Sequence, residues 1–359
     1  MSAHEILICI MAAFAALGAL DRIFGNRIGL GKEFEEGILA MGSLALAMVG
    51  IIALAPVLAQ LLRPVVVPVY TFLGADPAMF AGTILACDMG GASLARELTN
   101  DPEAAALGGI LCGSMLGATI VFTVPVAMGI LSKEDRPFLA KGILCGVVTI
   151  PVGLLAGGLV AGISFMKVLR NLLPAVLIAA IIAIGLWKAE KVMIKGFGWF
   201  GKGVVALITA GLAAAILQSL TGLTLIPGLA PIEDGFMTVG AIAIVLAGAF
   251  PLVWIVTRLL RKPLLRVGKW LRINDTAAAG LIATLANSIA TFGMVKDMDD
   301  RGKVVNVAFA VSAAFVFGDH LGFTAGFAPE MLTAMIAGKL VGGISAVAVA
   351  LWLTRKDKS

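Results

Sequence analysis

Residues 78–95 read AMFAGTILACDMGGASLA, and residues 275–295 read DTAAAGLIATLANSIATFGMV. Both runs are apolar enough to enter a bilayer. Each is interrupted at its centre, the first by Asp88-Met89-Gly90-Gly91 and the second by Asn287-Ser288. Glycine and short polar side chains favour turns over continued helix. Each run therefore either crosses the membrane or enters it and turns back, and that choice decides the fold. Lysine and arginine collect on the cytoplasmic side of membrane proteins, so they can arbitrate. If both runs turn back and the N-terminus lies outside, Arg63, Arg96, Lys167 and Arg170 face outward. Lys141 and Lys339 then fall within apolar runs, and the rest of the 27 basic residues face the cytoplasm. If both runs cross, the loops between them change sides and the asymmetry vanishes. The expectation is an all-α polytopic membrane protein of about nine transmembrane helices plus two re-entrant hairpins, with eleven full spans as the alternative.

The composition agrees with a membrane protein. Hydrophobic residues make up 60% of the 359-residue chain and charged residues 14%, against about 25% charged in soluble domains. One aqueous core cannot hold that much apolar surface. Soluble enzymes, disordered chains and nucleic-acid binders are therefore excluded. The net charge of +5 forms an inner collar facing anionic lipid. It is densest over residues 258–272 and ends at Arg355, Lys356 and Lys358. Spanning helices are expected over residues 6–20, 37–62, 104–131, 138–166, 172–187, 203–220, 236–256, 304–327 and 331–353. The C-terminus is then cytoplasmic. The leader before residue 6 lacks Lys and Arg, so the first run reads as a retained span and not a signal peptide.

The order span, span, interfacial stretch, hairpin, span, span occurs twice, at an offset near 199 residues. This predicts a first repeat over 1–170, a connecting helix over 171–190 and a second, inverted repeat over 191–359. Inverted repeats are a building plan of secondary transporters, with the site near the midplane at breaks in helices. Charge there is costly and marks function. The candidate substrate-binding residues are Asp88 and Asn287 at the hairpin tips, Asp319 and His320 in Gly318-Asp319-His320-Leu321-Gly322, and Thr119, the repeat mate of Asp319. Lys339 in mid-span is the alternative ion-pair partner of Asp319. Carboxylates beside exposed backbone carbonyls suit a small cation such as a protonated amine. Glu35-Glu36 are expected to cap a helix N-terminus. Gly113/Gly117, Gly153/Gly157 and Gly338/Gly342 are expected to pack helices closely. The four cysteines form no C-x-x-C pair, so no metal or disulfide framework is expected, and no cofactor. The lack of a P-loop argues against an ATP-driven pump.

Several strings resemble the ethanolamine-utilisation transporter (EutH) family. They include Phe34-Glu35-Glu36-Gly37, Leu85-Ala86-Cys87-Asp88-Met89-Gly90-Gly91, Ala283-Thr284-Leu285-Ala286-Asn287, Gly318-Asp319-His320-Leu321-Gly322-Phe323 and Gly338-Lys339-Leu340. The resemblance covers nearly the whole chain. It implies a bacterial inner-membrane permease for ethanolamine, not an enzyme, supplying a cytosolic ethanolamine ammonia-lyase pathway. The expected partners are ethanolamine and membrane lipid, with a homo-oligomer left open and no nucleic acid. The site residues come from the topology argument and not from family ligands. The rival readings are a proton- or sodium-coupled carrier of another small polar metabolite and a non-transporting amine sensor.

Overall fold

The computed structural model describes residues 1–356, without the side chains of residues 260–262, 264, 265 and 356. Lys358 lies outside the described residues, as do the side chains of Arg261, Lys262 and Lys356. The described chain is helical, with no strand among those residues. The helices are α1 (Ala3–Ile23), α2 (Leu30–Phe72), α3 (Ala78–Ile84), α4 (Ala92–Leu98), α5 (Pro102–Ile130), α6 (Arg136–Val160), α7 (Phe165–Thr221) and α8 (Ile232–Leu271). They continue with α9 (Asp275–Ala286), α10 (Ser288–Met294), α11 (Asp300–Ala313), α12 (Asp319–Phe327) and α13 (Leu332–Leu353). Among the described residues, seven helices are long and apolar enough to cross a membrane. These are α1, α2, α5, α6, α7, the Ile232–Leu259 part of α8, and α13 with its leading turn. The chain is thus a polytopic membrane protein by length and composition. Helix α7 breaks at Ala189 (φ −143°, ψ 47°) into two segments.

Polar side chains tie the helix ends into two clusters. In the first, Thr99 donates to Asp76 (2.9 Å), the Asp76 N–H donates to Asn171 (2.7 Å), and Lys167 pairs with Asp101 at 2.6 Å. In the second, Lys303 pairs with Asp135 at 2.7 Å, and Asn274 binds Asp299 and the Asp297 carbonyl. Helix α5 has 29 residues and leads from Asp101 in one cluster toward Asp135 in the other. At about 1.5 Å per residue that is roughly 43 Å, more than the ~30 Å of a hydrocarbon core. The two clusters therefore lie at opposite ends of the bundle.

Both interrupted runs fold back on themselves. Helices α3 and α4 begin and end in the first cluster, joined through Asp76 and Thr99. Helices α9 and α10 begin and end in the second, and Thr291 of α10 reaches back to Gly280 of α9 at 3.0 Å. The first turn needs Gly90. Its φ is +94°, and a side chain there would strike Ile51. Backbone lies on backbone where α3 meets α5. A methyl on Gly82 would collide with the Gly108 carbonyl, and one on Gly117 with that of Leu85. Gly153 and Gly338 likewise each face the other's carbonyl, at 2.7 and 2.8 Å from an added methyl. These are the close packings expected of small-xxx-small spacings.

One local expectation is corrected. Glu35 and Glu36 do not cap a helix, because α2 already begins at Leu30 after Gly29. Asp21 fills the capping role from the preceding helix, accepting the N–H groups of Ile28, Gly29 and Gly31 at 2.9–3.0 Å. Glu35 instead pairs with Arg22 at 3.2 Å.

Candidate functional site

The site forms where the first hairpin turn meets a broken helix. Helix α11 stops at Ala313 and α12 starts at Asp319. Between them Phe315 adopts φ 62°, a left-handed conformation that a bulky residue rarely takes and that marks a constrained position. A break inside a dry bundle orphans backbone groups, and each needs a partner. The second hairpin supplies several. Thr284 O accepts the Phe315 N–H (3.2 Å) and Leu285 O that of Phe317 (2.8 Å). Gly318 must lie against this hairpin, since a methyl there would strike Ala286 O. On the other side, the Val311 carbonyl accepts the Thr119 hydroxyl at 3.2 Å.

The break aims Asp319 and His320 into a small cavity of about 30 Å³. Ala86, Asp88 and Met89 line it from the hairpin turn, Ala118 and Phe122 from α5, and Phe315, Asp319 and His320 from the break. Asp88 Oδ1 is 3.8 Å from His320 Nε2. The Phe315 ring stands 5.4 Å from both the Phe122 ring and the imidazole. Among the described residues, no Lys or Arg comes within ion-pair distance of Asp88 or Asp319. Two acids without a Lys or Arg partner and two phenyl rings line one cavity, a combination that suits a small organic cation. That volume is room for about two waters.

Three of the five predicted residues, Asp88, Asp319 and His320, share this cavity. Asn287 sits apart, at the second hairpin tip. Its side chain accepts the Ile289 N–H at 2.8 Å and caps α10. It also lines a vestibule of about 410 Å³ together with Glu33, Glu36, Trp254, Gly318 and Asp319, so Asp319 touches both spaces. Thr119 is one residue from the cavity wall, but its hydroxyl is turned to Met115 O (2.7 Å) and Val311 O.

The family model described as "Ethanolamine utilisation protein, EutH" matches residues 3–353. The chain belongs to the EutH family. It is 61% identical to a "Probable ethanolamine permease EutH" of Listeria monocytogenes, over 99% of this chain and 95% of that protein. It is 50% identical to a protein of the same printed name from Salmonella typhimurium, over 99% and 97% of the two chains. It is 51% identical to the "Uncharacterized protein YxeR" of Bacillus subtilis, over 99% and 96%. No solved structure matches this chain.

Sequence reasoning about this EutH-family chain missed the two phenyl rings and the partners of Lys339. The Lys339–Asp319 pair, the alternative reading, is absent among the described residues. Lys339 donates to Ser114 O at 2.6 Å and lies 3.0 Å from His320 Nδ1. Around Ser114 the α5 backbone is π-helical. The Ala118 N–H bonds to Gly113 O and Met115 O and passes Ser114 by. Nothing in the local sequence marks that register. The positive φ of Phe315 carries no sequence signal either, because it arises from the packing of the second hairpin.

Proposed function

We propose that this chain is a permease that carries protonated ethanolamine across the bacterial cytoplasmic membrane by alternating access. One observation carries the reading: two carboxylates, Asp88 from a hairpin turn and Asp319 from a helix break, face one cavity walled by Phe122 and Phe315. An amine with a pKa near the ~10.4 of lysine is almost wholly cationic at neutral pH. The cavity offers it charge, a ring face and exclusion of water. The names printed for the Listeria and Salmonella relatives support the choice of substrate.

In this reading the fold-back pairs are re-entrant hairpins that enter from opposite leaflets. The broken α7 supplies two spans, and α11 with α12 one, giving nine. Residues 1–170 and 191–359 form inverted repeats around residues 171–190, and the C-terminus is cytoplasmic. The vestibule ending at Asp319 then opens inward. The opposite approach is shut by Arg96, whose guanidinium donates to the Phe327 carbonyl at 2.9 Å and lies over the Phe327 ring. His320 faces Asp88 at 3.8 Å, and Asn287 meets the substrate hydroxyl as it enters. Labelled-ethanolamine flux into proteoliposomes tests the reading. Wild-type protein should give saturable flux, and Asp88→Asn should abolish it at unchanged expression and melting temperature. Binding without flux would make the protein a sensor. Flux of other small metabolites in preference to ethanolamine would make it a carrier of those.

A further inference from the structure

We propose that Lys339 is an internal proton store for the substrate site, linked to Asp88 through the His320 ring. The inference rests on the permease reading. Lys339 is 1% exposed in the middle of α13, and no part of the binding role uses it. Its Nζ lies 3.0 Å from His320 Nδ1, and the far side of the same ring, Nε2, faces Asp88 Oδ1 at 3.8 Å. An imidazole can accept a proton on one nitrogen and release one from the other. The 3.8 Å step is longer than a direct hydrogen bond, and the cavity at Asp88 has room for a water to bridge it.

The other ionisable groups around this chain are few. Cys87 and Asp88 face it from the hairpin turn, and Asp319 precedes His320 on α12. Helices α5 and α6 bring the buried thiols Cys112 and Cys145, with Lys141 exposed. The remaining charged residues of α1, α5, α6 and α11 lie at helix ends, and those of α8 lie in its first turn and from Arg258 onward. We take one proton to be shared among Lys339, His320 and Asp88, with the Asp319 carboxylate lining the same cavity beside the relay.

The consequence concerns the empty carrier. With substrate bound, Lys339 is an ammonium and Asp88 a carboxylate that holds the substrate cation. When substrate leaves, Lys339 gives one proton to Nδ1, and Nε2 gives one to Asp88. The site becomes a neutral amine and a neutral acid. The imidazole keeps the two charges out of contact, so as an ion pair they would recover little of their desolvation cost. Lys339, His320 and Asp88 then reorient with no net charge among them and take no proton from water. Transport is a uniport of one cation.

The test uses full-length protein in vesicles loaded with a pH dye, with the membrane potential clamped. Labelled ethanolamine is supplied at about pH 6 to keep the free amine scarce. Wild type should show counterflow and net uptake without a proton signal. Lys339→Met should keep counterflow, which never returns an empty carrier. Its net uptake should fall about tenfold or more, because an uncompensated carboxylate must cross the bilayer. What remains should be accompanied by proton movement. Lys339→Arg, which keeps the charge but does not release its proton, should show the same split. Proton flux in step with wild-type uptake would overturn the proposal, whether or not the variants fold. So would equal loss of counterflow and net uptake in folded variants. Absence of wild-type counterflow would instead remove the permease reading itself, and this inference with it.

Discussion

Thr119 is a candidate site residue whose hydroxyl already has backbone partners in the fold. It was singled out as a polar residue in an apolar run and as the mate of Asp319 in the repeat. Its hydroxyl is shared between Met115 O and, at 3.2 Å, Val311 O, the carbonyl orphaned where α11 breaks. Thr119→Val should therefore lower the melting temperature, by the equivalent of about 1 kcal/mol or more for an unmet buried acceptor. The KM for ethanolamine should stay unchanged. A raised KM at wild-type stability would place the hydroxyl on the substrate. Asp88 and Asp319 were legible because a carboxylate inside an apolar run is costly and needs a reason. Phe122 and Phe315 were not legible, because phenylalanines in a membrane segment are unremarkable until the fold stands them on one cavity. Phe122→Ala should raise the KM several-fold, in line with the ~1–2 kcal/mol of a partly dry cation–ring contact, and measured uptake kinetics would show it.

At the scale of elements, the two breaks could be anticipated because they are written in Asp, Asn and Gly. The way the first hairpin seats on α5 could not, because the register of a π-helical stretch is set by its neighbours. The glycines along that seam carry the contact. Gly117→Ala puts a methyl into the Leu85 carbonyl, the last backbone before the turn that bears Asp88. Backbone cannot step aside as a flexible side chain does, so the hairpin must lift. The expected cost is about 1–3 kcal/mol or more, with loss of ethanolamine uptake. Gly129→Ala, in the same helix but with nothing within 4 Å of the added methyl, should leave the melting temperature unchanged or slightly raised. If the two variants melt alike, the close seam is not what positions the turn. Asn287→Ala should cost about 1 kcal/mol through loss of the α10 cap, read as a lower melting temperature.

For the whole molecule, the two polar clusters do what charge counting could only suggest: they say which ends belong together. Asp76, Thr99, Asp101, Lys167 and Asn171 bind one another across segments far apart in sequence, and so do Asp135, Asn274, Asp299 and Lys303 at the other end. Burial pushes the Asp101 carboxyl up, but the Lys167 ammonium and the N–H groups of Ala104 and Glu103 outweigh it and hold it below its ordinary value. A depressed carboxyl stabilises the fold at any pH above its unfolded pKa of about 3.9. That contribution is lost as pH falls through the lower, folded value. The pair is partly exposed, so its worth is at most about 1 kcal/mol. Asp101→Asn should lower the melting temperature at pH 7 and leave a smaller gap to wild type in strong acid. The same clusters set the test of topology. Asn100 adjoins the first cluster and Asp299 belongs to the second. With exposed Cys9 replaced by serine, Asn100→Cys and Asp299→Cys should react with a membrane-impermeant thiol reagent from opposite sides of the membrane. The first should label in intact cells and the second only in inverted vesicles. Labelling of both from one side would mean that the hairpins share a leaflet, and two acids could not then be approached in turn from two compartments.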